Sequence, residues 1–157
     1  MSSSWEVWVA GRPVPKGSYD IVPHGRPMIG PGGDRYYRVR DMALKPVNEG
    51  LTAWTNAIKW ACGGDDCPPH PLTGPWRLEL RCYFKPPKKP AHPDYPLSRS
   101  AGDGDKLLRA VCDALTGVYW PDDSYIVSKL VEKHYGMDDG AQIRVWFLGV
   151  EQILLDV

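Results

Sequence analysis

The stretch that most constrains the fold is residues 102–123, GDGDKLLRAVCDALTGVYWPDD, because it places one amphipathic helix between two pairs of aspartates. Five apolar residues recur at the spacing of a buried helical stripe: Leu107, Leu108, Val111, Ala114 and Leu115. Asp105 stands at the expected N-cap, and Gly117 stands where the helix should end. Acidic residues are therefore held at the start of the helix and just beyond its far end.

Four carboxylates belong to this stretch: Asp103, Asp105, Asp122 and Asp123. Helix capping and turn formation after Pro121 explain individual members, but neither requires all four. Clustered carboxylates repel one another unless a cation lies between them, and a hard, oxygen-preferring ion is the usual answer. The sequence therefore predicts a Mg2+ site, with Mn2+ as a substitute, formed by Asp103, Asp105 and Asp123 with Asp122 as a fourth candidate.

The same residues resemble the signature of the RusA-type Holliday junction resolvases. That signature runs Asp-x-Asp-Asn-x-x-Lys, then Asp-Ala-Leu, then Asp-Asp, and ends with a lysine one strand later. At the corresponding positions this chain has DGDKLLR (103–109), DAL (113–115), DD (122–123) and Lys133. The opening segment GRPVPKG, residues 11–17, also resembles the family. Lys106 stands where the family often has Asn, and Arg109 where it often has Lys. The resemblance implies a homodimer that binds four-way DNA junctions and nicks them symmetrically.

Phosphodiester hydrolysis needs an activated water, a partner for the charge on the phosphoryl group and help for the leaving oxygen, all of which carboxylate-bound Mg2+ supplies. Asp103, Asp105 and Asp123 fit this demand as catalytic residues. Arg109 lies one helical turn after Asp105 on the same face, so its guanidinium can reach the same phosphate. Arg109 is therefore the fourth predicted catalytic residue. Asp113 is expected to form an intrahelical ion pair with Arg109.

The net charge is zero, but the charges are unevenly distributed. Residues 1–99 hold 14 Lys and Arg against 9 Asp and Glu, whereas residues 100–157 hold 5 against 10. A basic first part suits phosphate binding, although scattered surface charge and solvated loops explain the pattern equally well. The candidate DNA-binding residues are basic side chains of the loops and of the acidic region: Arg12, Lys16, Arg26, Arg35, Lys88, Lys89, Lys106 and Lys133.

The cysteines allow two interpretations. Cys62, Cys67 and His70 form a C-x4-C-x2-H pattern, with Cys82 as a potential fourth zinc ligand. Because this spacing is loose and the fourth ligand is not assured, reduced and unpaired thiols are favoured, and zinc is not expected. No apolar run approaches the ~20 residues of a membrane span, and the first residues lack the features of a signal peptide, so we expect a cytoplasmic protein.

A single domain, 1–157, is expected from the length. The periodicities predict the order β-α-β-α-β-β, an α+β fold with a small mixed sheet and two main helices, the first beginning at Pro46. The helix between strands 76–84 and 124–134 should make these strands parallel, and the last two strands should form a hairpin around the turn at 136–140. Long loops are expected at 11–41, 63–75 and 85–102.

Three functions remain in view. The favoured one, implied mainly by the resemblance, is a Mg2+-dependent, structure-specific endonuclease that resolves four-way junctions by paired, symmetric hydrolysis. A module that binds DNA junctions without catalysis is the first alternative, but retention of Asp at all three presumed ligand positions argues against it. The second is a zinc-stabilised interaction domain, which metal analysis of the purified protein would distinguish.

Overall fold

A computed structural model of the chain describes residues 3–17, 19–33, 35–46, 50–65, 67 and 73–149. For residues 3, 19–28 and 35–46 it describes the backbone only. The strands and helices follow in the order β1 (Ser3–Ala10), β2 (Tyr19–Ile29), β3 (Arg35–Pro46), α1 (Leu51–Cys62), β4 (Trp76–Phe84), α2 (Gly104–Leu115), β5 (Ile126–Tyr135) and β6 (Gly140–Phe147). A mixed four-stranded sheet with two helices confirms the predicted α+β class.

The four-stranded sheet has the order β1-β6-β4-β5. Strands β4 and β5 are parallel, which confirms the crossover through α2, whereas β6 runs antiparallel to both β1 and β4. The predicted β5–β6 hairpin is therefore wrong, because β4 lies between these two strands. Residues 136–139 can pass over the end of β4, since four residues span up to ~13 Å and two strand spacings need only ~10 Å. The amide of Gly136 donates to the Phe84 carbonyl at 3.0 Å on the way.

The core lies on one face of this sheet. Strand β4 alternates perfectly and turns five buried side chains towards the helices: Trp76, Leu78, Leu80, Cys82 and Phe84. Helices α1 and α2 contact each other, and they also contact β1 and β5 respectively. Trp76 is fully buried and lies at the centre of an aromatic cluster with Trp5, Tyr119, Trp120 and Phe147.

The predicted loop at 11–41 is the main error in the order of elements, because β2 and β3 form an antiparallel pair with a bulge between His24 and Gly25. In a two-stranded ribbon both strands are edge strands, so prolines are tolerated there although they weaken the sequence signal. Pro46 ends β3, and α1 begins at Leu51 rather than at Pro46.

Little regular structure lies in the described parts of the other two predicted loops. The loop at 85–102 contains only a short 3-10 turn, Arg99–Ala101, and the described part of 63–75 contains no helix or strand. The chain divides into two compact units, Met1–Lys16 with Gly50–Val157, and Gly17–Glu49. Neither of the two helices in the described part has the length and apolar character needed to cross a membrane.

Candidate active site

The first acidic pair lies at the beginning of α2. The helix begins at Gly104, and its N-cap is Asp103 rather than the predicted Asp105, because the Asp103 carbonyl already accepts a hydrogen bond from the Leu107 amide at 3.0 Å. The Asp103 carboxylate makes no capping bond and lies 3.2 Å from the Lys106 ammonium. Asp105 occupies the first turn and is exposed. Both carboxylates therefore stand at the positive end of the helix dipole.

Residues from two distant segments fix the chain as it enters α2. Gly102 has φ 76° and ψ 170°, a conformation that glycine alone adopts readily. A Cβ atom at this position would lie 2.6 Å from Cγ of Pro15. On the other side, the Lys133 ammonium donates to the Gly102 carbonyl at 2.9 Å. Asp103 is thus held in place by the N-terminal segment and by β5.

Gly102→Ala should lower the free energy of unfolding by about 1–3 kcal/mol, because it adds a strained backbone conformation to a clash with Pro15. Gly117→Ala is the matched control, since Gly117 also has positive φ (84°) but a Cβ atom added there would meet no other atom within 4 Å. That variant should lose only about 1 kcal/mol. Urea denaturation measures both, and equal losses would show that the contact with Pro15 does not constrain this segment.

The N-terminal segment 11–17 packs along α2. The Lys16 amide donates to the Lys106 carbonyl at 2.9 Å, and the Lys16 ammonium forms an ion pair with Asp113. The predicted pair of Asp113 with Arg109 is therefore wrong. A basic residue four positions before an acidic one is the weaker order on a helix, and Lys16 reaches the carboxylate from outside. Within the described residues Arg109 has no hydrogen bond or ion pair, and it is exposed.

Arg12 also has partners within the fold. One of its guanidinium nitrogens, Nη2, donates to the Ser100 carbonyl at 3.1 Å, and Nη1 lies 3.7 Å from an Asp139 carboxylate oxygen. The guanidinium carbon lies 5.3 Å from the centre of the Phe84 ring. Two of the predicted DNA-binding residues, Arg12 and Lys16, thus connect the opening segment to the region around α2.

The second acidic pair lies at a different place along α2. Asp122 precedes the 3-10 turn Asp123–Tyr125 and accepts a hydrogen bond from the Ser124 amide at 2.9 Å. Hydrogen bonding by Ser124 holds the pKa of Asp122 below its usual value. Burial is the main cause of the raised pKa of Cys112, and the charge of nearby Asp123 adds to it. Cys112 is seven residues, or about 10 Å of helix, beyond Asp105.

The described residues contain no group of three or more His, Cys, Asp or Glu side chains that could hold a metal ion. The four predicted ligands therefore do not form a closed cluster. The donor chemistry nevertheless fits Mg2+, which is commonly bound by one or two carboxylates while water and substrate phosphates complete its octahedron. Asp103 and Asp105 offer two carboxylates on one exposed helix end, whereas Asp122 and Asp123 are not brought into a metal-binding group with them.

All four cysteines are free thiols. Burial raises the pKa of Cys62 and of Cys82 to about 12, and that of Cys112 to about 11. These thiols therefore stay protonated near neutral pH, which makes them poor nucleophiles. His70, the third residue of the C-x4-C-x2-H pattern, lies outside the described residues.

The remaining predicted DNA-binding residues are dispersed. Lys88 and Lys89 are exposed in the loop 85–102 and have no hydrogen bond or ion pair among the described residues. Arg26 lies on β2 and Arg35 on β3, where the backbone alone is described.

The contact of Pro15 with Gly102 could not be predicted from the sequence. Nothing in the local pattern shows which distant residue will pack there.

The chain matches a known protein family over most of its length. The family model described as Endodeoxyribonuclease RusA matches residues 19–146, which is most of the chain and includes both acidic pairs and Lys133. No curated protein matches the chain. The chain therefore belongs to the RusA family of endodeoxyribonucleases, hydrolases that resolve Holliday junctions.

Proposed function

We propose that this protein is a cytoplasmic, Mg2+-dependent, structure-specific endonuclease that resolves four-way DNA junctions by paired, symmetric hydrolysis. The observation that carries the proposal is the pair of exposed carboxylates, Asp103 and Asp105, at the start of α2 in a member of the RusA family. The packing of Pro15 against Gly102 and the hydrogen bond from Lys133 support it, because they hold Asp103 at a fixed position beside the sheet.

Asp103 and Asp105 are the residues that would hold the metal. When bound, Mg2+ supplies an activated water and neutralises charge on the phosphate that is cleaved. Asp123, with Asp122 beside it, completes the proposed ligand set. Asp122 precedes the short 3-10 turn before β5, and Asp123 is the first residue of that turn.

The proposed role of Arg109 is to stabilise negative charge on the phosphate. Its side chain is exposed and has no competing partner among the described residues, so it is available to substrate. Arg109→Lys should keep or raise the rate of nicking, because it keeps the charge and restores the residue that is common in the family. Arg109→Ala should lower the rate about 100-fold, the usual cost of losing one donor to a developing charge. An inactive Lys variant beside an active Ala variant would assign this role to another residue.

The basic residues are proposed to position the DNA backbone, and the structure separates them into two kinds. Lys88 and Lys89 are unpaired among the described residues, so replacing both by Ala should flatten the slope of log affinity against log salt by about 0.9 per lysine on duplex arms. Lys16→Ala should change the slope less, because Asp113 already compensates its charge. Anisotropy titrations at several salt concentrations measure the slopes, and the reverse order would move the DNA-binding surface to the N-terminal segment. The proposal also includes Arg12, Arg26, Arg35, Lys106 and Lys133.

Paired incision needs two active sites, and we propose a homodimer because a twofold protein matches a nearly twofold junction. Nicking of an end-labelled four-way junction, beside a linear duplex of matching sequence, tests the function with and without Mg2+. The proposal predicts nicks in the junction only, at symmetric positions, and only with Mg2+. Tight junction binding without nicking would favour the non-catalytic alternative, and equal nicking of both substrates would exclude structure specificity.

A further inference from the structure

The face of the four-stranded sheet opposite the helices carries a continuous row of aromatic rings. Trp8 of β1 lies 5.5 Å from Tyr83 of β4, and Tyr83 stacks on His134 of β5 at 5.6 Å with an interplanar angle of 29°. The row continues into the loop 85–102, where Tyr95 lies 6.2 Å from His134 and His92 lies 5.3 Å from Tyr95. All distances join ring centroids. We call these five residues the aromatic row.

Two glycines make this arrangement possible. Trp8 crosses β6 at Gly140, where an added Cβ atom would lie 2.2 Å from the indole ring. At Gly136 an added Cβ atom would lie 3.1 Å from the Tyr83 side chain. Any other residue at Gly140 would displace Trp8 from the sheet surface. The glycine therefore provides the space that the indole ring occupies.

The chemistry of this face favours a nucleic acid over the core of a protein interface. Trp8 is 51% exposed and Tyr95 is 50% exposed, so both offer ring surface to a ligand. The same face carries three arginines, each paired with a glutamate: Arg77 with Glu79, Arg81 with Glu132 and Arg144 with Glu6. Glutamate is depleted in protein interfaces, and this face carries three of them. Exposed rings on a polar sheet face are typical of surfaces on which unpaired bases stack.

The aromatic row reaches β5, the edge strand whose other face adjoins the candidate active site. His134 follows Lys133 in β5, so the two side chains point to opposite faces of the sheet, and the Lys133 ammonium is bonded to Gly102, the residue before Asp103. Tyr95 lies in the loop that continues directly to Asp103. We propose that the aromatic row binds an unpaired segment of a DNA strand by base stacking and that this segment leads towards the carboxylates at the start of α2. The choice of DNA rests on the proposed function.

The test compares two labelled oligonucleotides of about 16 nucleotides, the upper end of site sizes for such surfaces. One is oligothymidylate, and the other has abasic residues with the same number of phosphates. Fluorescence anisotropy without added metal measures both dissociation constants and requires no cleavage. Stacking on the aromatic row predicts about tenfold or stronger binding of the oligothymidylate by the wild-type protein. Tyr95→Ala and Trp8→Ala should bring this preference close to one.

Trp60→Ala is the matched control, because Trp60 is 88% exposed but lies on α1, outside the aromatic row. It should keep the wild-type preference. Should Trp8→Ala fail to fold after uncovering Gly140, Tyr95→Ala decides alone, since Tyr95 lies in a loop and is half exposed. An equal affinity of the wild-type protein for both oligonucleotides would overturn the proposal, as would a Tyr95→Ala variant that keeps the preference. If these variants instead convert a dimer into monomers with no change in preference, the face joins two copies of the chain, which also overturns it. Junction nicking is scored separately, so failure of one proposal stays distinct from failure of the other.

Discussion

Replacing Asp103 or Asp105 by Asn should lower junction nicking by about 100-fold or more while binding persists or tightens. Residues that merely orient a metal ligand are worth about 10–100-fold, and loss of a ligand charge should cost at least as much. Each substitution also removes a negative charge that repels DNA phosphates, so affinity should not fall. The measurement is single-turnover nicking of a labelled junction, with affinity determined in parallel.

Asp65→Asn is the matched control for these two substitutions. Asp65 is exposed just beyond the end of α1 and is not part of the stretch that carries the candidate ligands. Its substitution should leave nicking within a few-fold of wild type. Nicking within the same range for Asp103→Asn or Asp105→Asn would remove that residue from the active site.

Trp76→Ala should destabilise the protein by about 3–5 kcal/mol, the usual cost of truncating a buried aromatic side chain. Trp76 has no exposed surface, and its ring contacts four other aromatic rings across β1, β6 and the segment after α2. Such a loss is a large part of the ~5–15 kcal/mol that stabilises a typical domain. Urea denaturation measures it against Trp60→Ala, which should stay within about 0.5 kcal/mol of wild type because Trp60 is exposed. Similar losses in both variants would contradict the assigned core.

Sequence periodicity predicted the elements that have one clear buried face. The strict alternation of β4 predicts the side chains that the structure buries, and four residues of the predicted α2 stripe are buried, whereas Leu108 is only partly buried. The segment between β4 and β5 is long enough for the parallel crossover. Periodicity does not show which strands pair. A four-residue connection is compatible with a hairpin and with passage over one intervening strand, so the position of β4 between β5 and β6 could not be deduced. The β2–β3 ribbon was missed because its prolines and glycines interrupt the alternation.

In the candidate site, too, only the features with a local sequence signal could be predicted. Spacing alone predicted that Asp103 and Asp105 lie at the start of α2, because a helix N-terminus has a local sequence signal. The ion pair of Lys16 with Asp113 and the contact of Gly102 with Pro15 join residues that are distant in sequence. No local pattern encodes such pairs. The aromatic row could not be predicted from a local pattern either, because its five rings come from three strands and one loop.

Cleavage of a supercoiled plasmid that carries an extruded cruciform tests whether incision is paired and metal-dependent. Two nicks made within one binding event convert this plasmid into the linear form, whereas a single nick releases the supercoiling, reabsorbs the cruciform and leaves an open circle. With Mg2+ we expect linear plasmid as the first product, cut at the cruciform base, and with a chelator we expect unchanged supercoiled plasmid. Open circles that accumulate without linear product, or equal cleavage in the presence of the chelator, would contradict this expectation.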